Sequence, residues 1–349
     1  MNSRNPGLDA ARAWAVVAMV TGHSFDALLD VAQRSAPWYT TYTLFRGMTA
    51  PLFLFVSGCA VAKAVMDRQR TGFDVLRRYV PRALGLIALG AALRWPSWDV
   101  QGLFQGSPEL LKHFLGVDAL ACIGISLILT SVVFAGFRGL WIRLAALSVL
   151  VLVAVAWSAP ARAAGLGQPW QALFVDGPES PFPLLPWTGF FVSGALLGVL
   201  ISHTTVSLRA GFAVLGVGVL MGGVTLFHGL SELPKEHPVL FLLRLAFALV
   251  TVGAALLLPR ALASRVAPLG RMSLGIYVFH VPVLYGWGTH VGLGARIGSI
   301  LEVGQVLCVS VLLLITGTLG VLFTRWVKAS RGRRRSDVLS PIAIRAAVD

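Results

Sequence analysis

The residues best suited to chemistry lie in the first apolar stretch of the chain, which carries Asp9, Arg12, His23 and Asp26. In a helix, with about 100° of turn per residue, the eleven steps from Arg12 to His23 return to within about 20° of the same face. Asp9 and Asp26 each lie three residues from one of these two. The four side chains are therefore predicted to form one polar stripe that faces the interior of a helix bundle.

His23 is the candidate general base of this stripe. An imidazole changes its charge near neutral pH, and proton transfer in a reaction needs such a group within hydrogen-bond reach. Asp26, three residues further on, is a candidate to orient the ring. The alternative interpretation is structural, because polar side chains inside a membrane also serve as hydrogen-bonding contacts between helices.

Two later apolar stretches also place polar side chains on one helix face. Arg46 and Ser57 are eleven residues apart, and Arg46 is predicted either to hold an anionic or polyhydroxyl group or to extend its charge to the membrane interface. Ser273, Tyr277 and His280 are spaced four and three residues apart. His280 is a second catalytic candidate, and the alternative is a histidine satisfied by its packing.

The composition predicts that helices crossing a membrane position these side chains. Of the 349 residues, 56% are hydrophobic and only 13% are charged, about half the charged fraction of a soluble domain. The apolar residues form long blocks rather than alternating, which excludes an outer-membrane barrel and leaves helices. We predict an all-α integral membrane protein with about ten spans, or eleven if a short helix lies in 94–116 or 160–183. The predicted spans are 9–29, 45–66, 78–95, 114–136, 140–158, 184–202, 208–229, 238–258, 268–288 and 298–326.

The charge distribution predicts the orientation of these spans. The net charge of +14 comes from Lys and Arg between the apolar blocks and in the C-terminal tail, which is typical of membrane topology rather than of nucleic-acid binding. Alternate loops are rich in Arg, so both termini are predicted to be cytoplasmic, in an inner membrane. Residues 1–329 are predicted to form the membrane domain, and residues 330–349 a disordered basic tail.

Other motifs are few. The sequence has no phosphate loop, no dinucleotide fingerprint, no nucleophile-elbow serine and no spacing of metal ligands. The three cysteines all lie inside apolar blocks and are interpreted as buried small residues. Gly194 and Gly198 have the GxxxG spacing that predicts close packing of a helix against a neighbour.

These residues carry a resemblance to a known family. The run 8–13, followed by Gly22 and His23, resembles the opening of transmembrane acyltransferases such as the acyltransferase-3 proteins. Four further stretches resemble the bacterial relatives of the heparan-α-glucosaminide N-acetyltransferase catalytic domain, over residues 4–325. Two departures are Ala13, where the family has glycine, and the absence of histidine between Ser24 and Lys112. The four stretches are 50–58, 122–126, 182–187 and 269–280.

The resemblance implies transfer of an acyl group, usually acetyl, from cytoplasmic acyl-CoA to a sugar hydroxyl or amine on the other side of the membrane. Acyl-CoA is then a co-substrate, and no metal is implied. On this hypothesis His23 deprotonates the acceptor, oriented by Asp26 or by a neighbouring helix, in a direct transfer or through an acyl-histidine. The candidates to stabilise the thioester oxyanion are Tyr277, Ser57 and His280. The candidates to bind the CoA phosphates are Arg12, Arg77, Arg78, Arg82 and Arg271.

Two other function classes stay open at this point. A transporter or flippase of a polar envelope metabolite also needs charged groups inside the membrane, although the sequence has no inverted repeat of the kind that many transporters have. A structural or sensory membrane protein is the third alternative. The expected partners are the lipid bilayer and an extracytoplasmic glycan or small-molecule acceptor, with a homodimer left open.

Overall fold

The protein is described here from a computed structural model. The structure describes residues 5–94, 105, 116–167, 170–177, 180–203, 208–227, 233 and 237–345, and for 331–345 the backbone alone. All regular structure in this part of the chain is helical, with three isolated β-bridges and no strand. The predicted all-α class is therefore confirmed for the described residues.

Fifteen α-helices are described, and a short 3₁₀ helix, Val31–Ser35, follows the first of them. The helices are α1 Pro6–Leu28, α2 Pro37–Arg46, α3 Thr49–Asp67, α4 Phe73–Leu93, α5 Ala119–Gly136, α6 Leu140–Ala156, α7 Ser158–Ala163, α8 Trp170–Phe174, α9 Leu184–His203, α10 Leu208–Leu226, α11 Pro238–Leu257, α12 Arg260–Arg271, α13 Ser273–Tyr285, α14 Leu293–Ile297 and α15 Val303–Arg345.

The number of spans is lower than the sequence predicts. Among the described helices, seven are long and apolar enough to cross a membrane, and the bent pair α12–α13 makes eight if it is one span. The count of ten is not confirmed, because α1 and α4 have spanning length but carry several charged side chains. The short helices α7 and α8 fall within or beside 160–183, whereas most of 94–116 lies outside the described residues.

Three predicted segments differ in detail. A break at Gly47 and Met48 separates α2 from α3, so Arg46 ends one helix and Ser57 lies in the next. The predicted span 268–288 is made of the end of α12 and all of α13, which are bent by 49°. Helix α15 continues to Arg345, across most of the predicted disordered tail.

Close packing of α3 against α9 builds one side of the bundle. A side chain at Gly58 would overlap the backbone carbonyl of Phe191, and one at Gly194 would overlap the carbonyl of Phe55. Gly198 has the same relation to Cys59. The close packing predicted from the GxxxG spacing of Gly194 and Gly198 is confirmed, and the helix against which they pack is α3.

Helix α1 lies in the middle of the bundle. It packs against α3, α11, α12, α13 and α15, and most of its residues are buried. At its start, the carbonyl of Asp9 lies where a side chain at Gly270 would be. Helix α1, which carries the polar stripe, is therefore surrounded by protein on several sides, as a helix with charged side chains in a membrane requires.

Candidate active site

A cavity of about 480 Å³ follows α1 through the bundle. Arg12 and His23 both line it, and their eleven-residue separation places them about 16 Å apart along the helix. We call its two ends the Arg12 end and the Arg46 end. Arg46, Ser57 and Tyr277 also line this cavity, so it collects five of the predicted site residues.

His23 is held by a histidine from another helix. Its Nδ1 lies 2.9 Å from Nε2 of His280 on α13, and the two rings stack with centroids 5.1 Å apart. His280 is fully buried and is not among the residues that line the cavity. Of the two histidines, His23 is thus the one placed to meet a ligand.

Asp26 does not orient His23. Its carboxylate forms an ion pair with the guanidinium of Arg46, at the end of α2. The Arg46 side chain lies beside Gly22 of α1. The sequence left two candidates to orient His23, which were Asp26 and a neighbouring helix. The structure has the second, His280 of α13, because the Asp26 carboxylate is paired with Arg46.

At its other end the cavity is lined by Arg12, whose guanidinium lies 3.7 Å from the Asp9 carboxylate. Asp9 is buried, which keeps this ion pair at the start of α1 inside the protein. Ser273 and Tyr277, one helical turn apart on α13, also line the cavity. The polar lining thus includes one cation at each end and hydroxyl groups from α3 and α13.

The remaining arginine candidates lie elsewhere. Arg77, Arg78 and Arg82 line a separate cleft with Arg70 and Asp74 at the start of α4. Leu86, one turn beyond Arg82 on the same helix, lines the main cavity. Helix α4 therefore leads from the basic cleft towards the cavity.

Arg271 is exposed at the end of α12 and lines neither the cleft nor the cavity. Its carbonyl accepts a hydrogen bond of 3.3 Å from the Arg325 guanidinium. The structure does not bring this predicted phosphate ligand to the site.

Sequence reasoning missed Arg244. This residue lies in the otherwise apolar α11, lines the cavity, and has its guanidinium 5.9 Å from the centre of the Trp187 ring. Asp176 lines the same cavity. A lone arginine within a predicted span was the available signal, because charges inside spans are costly and tend to be functional.

Asp118 fixes the start of α5, whose first residues line the cavity. Its carboxylate accepts a 2.7 Å hydrogen bond from the Ala121 amide and lies where a side chain at Gly90 of α4 would be. Burial raises the pKa of Asp118, against the opposing effects of the Ala121 amide and of Arg94. The cap thus joins α4 and α5 beside the cavity.

Comparison with protein families decides which class of protein has this site. Residues 5–322 match the acyltransferase-3 model, an acyltransferase domain. The chain belongs to the acyltransferase-3 family. No curated protein and no solved structure matched it.

Membership of the acyltransferase-3 family supports a membrane acyltransferase and does not favour the transporter alternative. The match spans both histidines and every residue named in the cavity. The narrower resemblance to the heparan-α-glucosaminide N-acetyltransferase relatives is not confirmed and stays a prediction.

Proposed function

We propose that this acyltransferase-3 protein transfers an acyl group, in the first instance acetyl, from cytoplasmic acyl-CoA to a hydroxyl or amine of an extracytoplasmic sugar. The observation that carries the proposal is His23 in the wall of a cavity that follows α1 from Arg12 to the Arg46 end. A base in such a position is within reach of two substrates that approach from opposite ends. The proposal places the chain in the inner membrane with both termini in the cytoplasm.

The proposed reaction is a direct transfer. The acceptor gives its proton to the free ring nitrogen of His23 as its oxygen or nitrogen forms a bond to the thioester carbonyl carbon. The tetrahedral oxyanion then collapses, the carbon–sulfur bond breaks, and the CoA thiolate takes the proton back from the imidazolium. The products are the acylated acceptor and CoA with a free thiol.

A hydrogen-bond donor is needed where the oxyanion develops. Tyr277 and Ser57 line the cavity, whereas His280 is buried behind His23. The hydroxyls of Tyr277 and Ser57 are therefore the proposed donors, and His280 is left out of this role.

The basic cleft at the start of α4 is the proposed contact for the CoA phosphates. Arginine suits phosphate because its guanidinium donates two parallel hydrogen bonds. Arg77 and Arg82 are exposed and Arg78 is half-buried, so their guanidinium groups are accessible to a ligand in the aqueous phase. From there α4 leads to Leu86 in the cavity wall, which is the proposed path of the pantetheine arm.

The Arg46 end is the proposed acceptor side. The cavity lining combines charged groups with aromatic and proline side chains, which include Trp187, Phe182 and Pro183. Charged hydrogen-bonding groups beside apolar ring surfaces suit a polyhydroxyl ring, which has polar edges and apolar faces.

The test is acyl transfer by the purified protein in nanodiscs, measured as CoA release from acetyl-CoA with a panel of sugars. Replacing His23 with Ala is expected to lower kcat by about 100-fold or more, the usual contribution of a positioned base. His290→Ala is the control, because His290 is exposed and lies outside the cavity. Transfer at near wild-type rate by His23→Ala would show that His23 is not the base.

A further inference from the structure

The hydrogen bonds of His280 have a fixed direction. Its Nδ1 lies 2.7 Å from the carbonyl oxygen of Ile276, one turn earlier on α13. A carbonyl oxygen only accepts, so Nδ1 of His280 must carry a hydrogen and donate it. In a neutral imidazole the other nitrogen, Nε2, is then an acceptor.

The direction of these hydrogen bonds also determines which nitrogen of His23 carries the hydrogen. Nε2 of His280 lies 2.9 Å from Nδ1 of His23, so with both rings neutral the hydrogen of that bond belongs to His23. Nε2 of His23 is left with its lone pair. The ring that lines the cavity thus has its acceptor nitrogen away from His280.

We infer that His280 is a positioning residue, which holds His23 as its Nδ1–H tautomer and leaves Nε2 of His23 as the proton acceptor. This inference rests on the proposed function for its catalytic meaning. When His23 takes a proton, its Nδ1–H bond to His280 persists and stabilises the imidazolium, as the carboxylate does behind the histidine of a serine protease. Here an imidazole anchored to a backbone carbonyl fills the place of that carboxylate.

Other groups near the two rings do not fill this role. Asp26 is paired with Arg46, and the Tyr285 hydroxyl donates to the backbone carbonyl of His23 at 3.3 Å rather than to its ring. Tyr277 contacts His280 through ring edges, with centroids 5.8 Å apart. His280 is thus the side chain whose hydrogen bond can set the tautomer of His23.

Two substitutions separate hydrogen bonding from packing. His280→Gln keeps an acceptor oxygen near the place of Nε2, whereas His280→Leu fills the space without an acceptor. Loss of a group that orients a metal-bound histidine typically costs about 10–100-fold, and we expect a loss of the same order here. We expect His280→Leu to lower kcat by that factor with the KM for acyl-CoA unchanged, and His280→Gln to recover most of it. His290→Leu is the matched control.

The tautomer is read directly by nitrogen-15 NMR of histidine-labelled protein in nanodiscs, with the His23 signals assigned by their loss in His23→Ala. We expect a protonated Nδ1 and an unprotonated Nε2 in the wild type, and a mixture of tautomers in His280→Leu. A wild-type His23 protonated on Nε2, or an unchanged spectrum in His280→Leu, would overturn the inference. The spectrum needs no turnover, so it decides the tautomer even if acetyl-CoA proves not to be the donor.

Discussion

The ion pair between Asp26 and Arg46 lies close to His23, since the Arg46 side chain packs beside Gly22, the residue before it. It joins the last turn of α1 to the end of α2, and both side chains are only partly exposed, at 25% and 38%. A charge-assisted hydrogen bond in such a place contributes more than an exposed one, because solvent screens it less. The pair therefore stabilises the packing of α1 against α2 at the Arg46 end of the cavity.

A double-mutant cycle measures this contact. We expect Asp26→Asn and Arg46→Gln each to destabilise the protein, and the double variant to lose about 1–3 kcal/mol less than the sum, because the two residues interact directly. The measurement is the free energy of unfolding in a detergent titration. The control cycle is Arg70→Gln with Asp74→Asn, a pair at 3.9 Å in which the Asp74 side chain is 65% exposed, with an expected coupling of about 0.5 kcal/mol. Additive effects of the Asp26 and Arg46 substitutions would contradict the assignment.

Local spacing predicts part of the site at this scale. The eleven residues between Arg12 and His23 place both on one face because helix geometry is local and regular, and both line the cavity. The bond from His23 to His280 joins residues 257 positions apart. No local pattern contains that distance, so the sequence indicated both histidines but not their contact.

At the scale of helices, the crossing of α3 and α9 positions Ser57. Glycines on both helices bring the two backbones into direct contact, which the absence of a side chain allows. The sequence predicted a close contact of α9 from its GxxxG spacing. It did not predict the partner, because many helices offer a small residue and the choice depends on the whole bundle.

Gly194→Ala tests this crossing. The new methyl group would overlap the carbonyl of Phe55, and overpacking of this kind costs about 1–3 kcal/mol. We expect a lower melting temperature and reduced acyl transfer, because α3 must move and carries Ser57 with it.

Gly216→Ala on α10 is the matched control, since a side chain there meets no atom within 4 Å. Alanine is the better helix former, so this variant is expected to be neutral or slightly stabilised. Equal melting temperatures for the two variants would contradict close packing of α3 against α9.

Breaks within helices were the least predictable elements. The sequence predicts continuous spans at 45–66 and 268–288, and the structure has an interruption at Gly47 and Met48 and a 49° bend near Met272. The apolar content of a block of about 20 residues indicates how well the block suits a membrane, and it is insensitive to a break of one or two residues. Arg46, the last residue of α2, and Ser273, the first residue of α13, lie at these breaks and line the cavity.

For the whole molecule, the proposed reaction depends on which side of the membrane each end of the cavity faces. Acyl-CoA is a cytoplasmic metabolite, so the basic cleft of α4 and the Arg12 end must meet the cytoplasm. Alternate Arg-rich loops predict the same orientation from a separate argument, the retention of positive charge on the cytoplasmic side. If the protein lies the other way round, His23 keeps its chemistry but the donor has no route to it.

Single-cysteine labelling in intact cells tests the orientation. Ser35, just beyond α1, and Ser264, in α12 among several arginines, are both exposed, and Ser→Cys is a small change at each. The background needs Cys308→Ala, because Cys308 is exposed while Cys59 and Cys122 are buried. A membrane-impermeant maleimide is expected to label Ser35→Cys in intact cells and Ser264→Cys only after permeabilisation. The reverse pattern would place the Arg-rich face outside and exclude acyl-CoA as the donor at the α4 cleft.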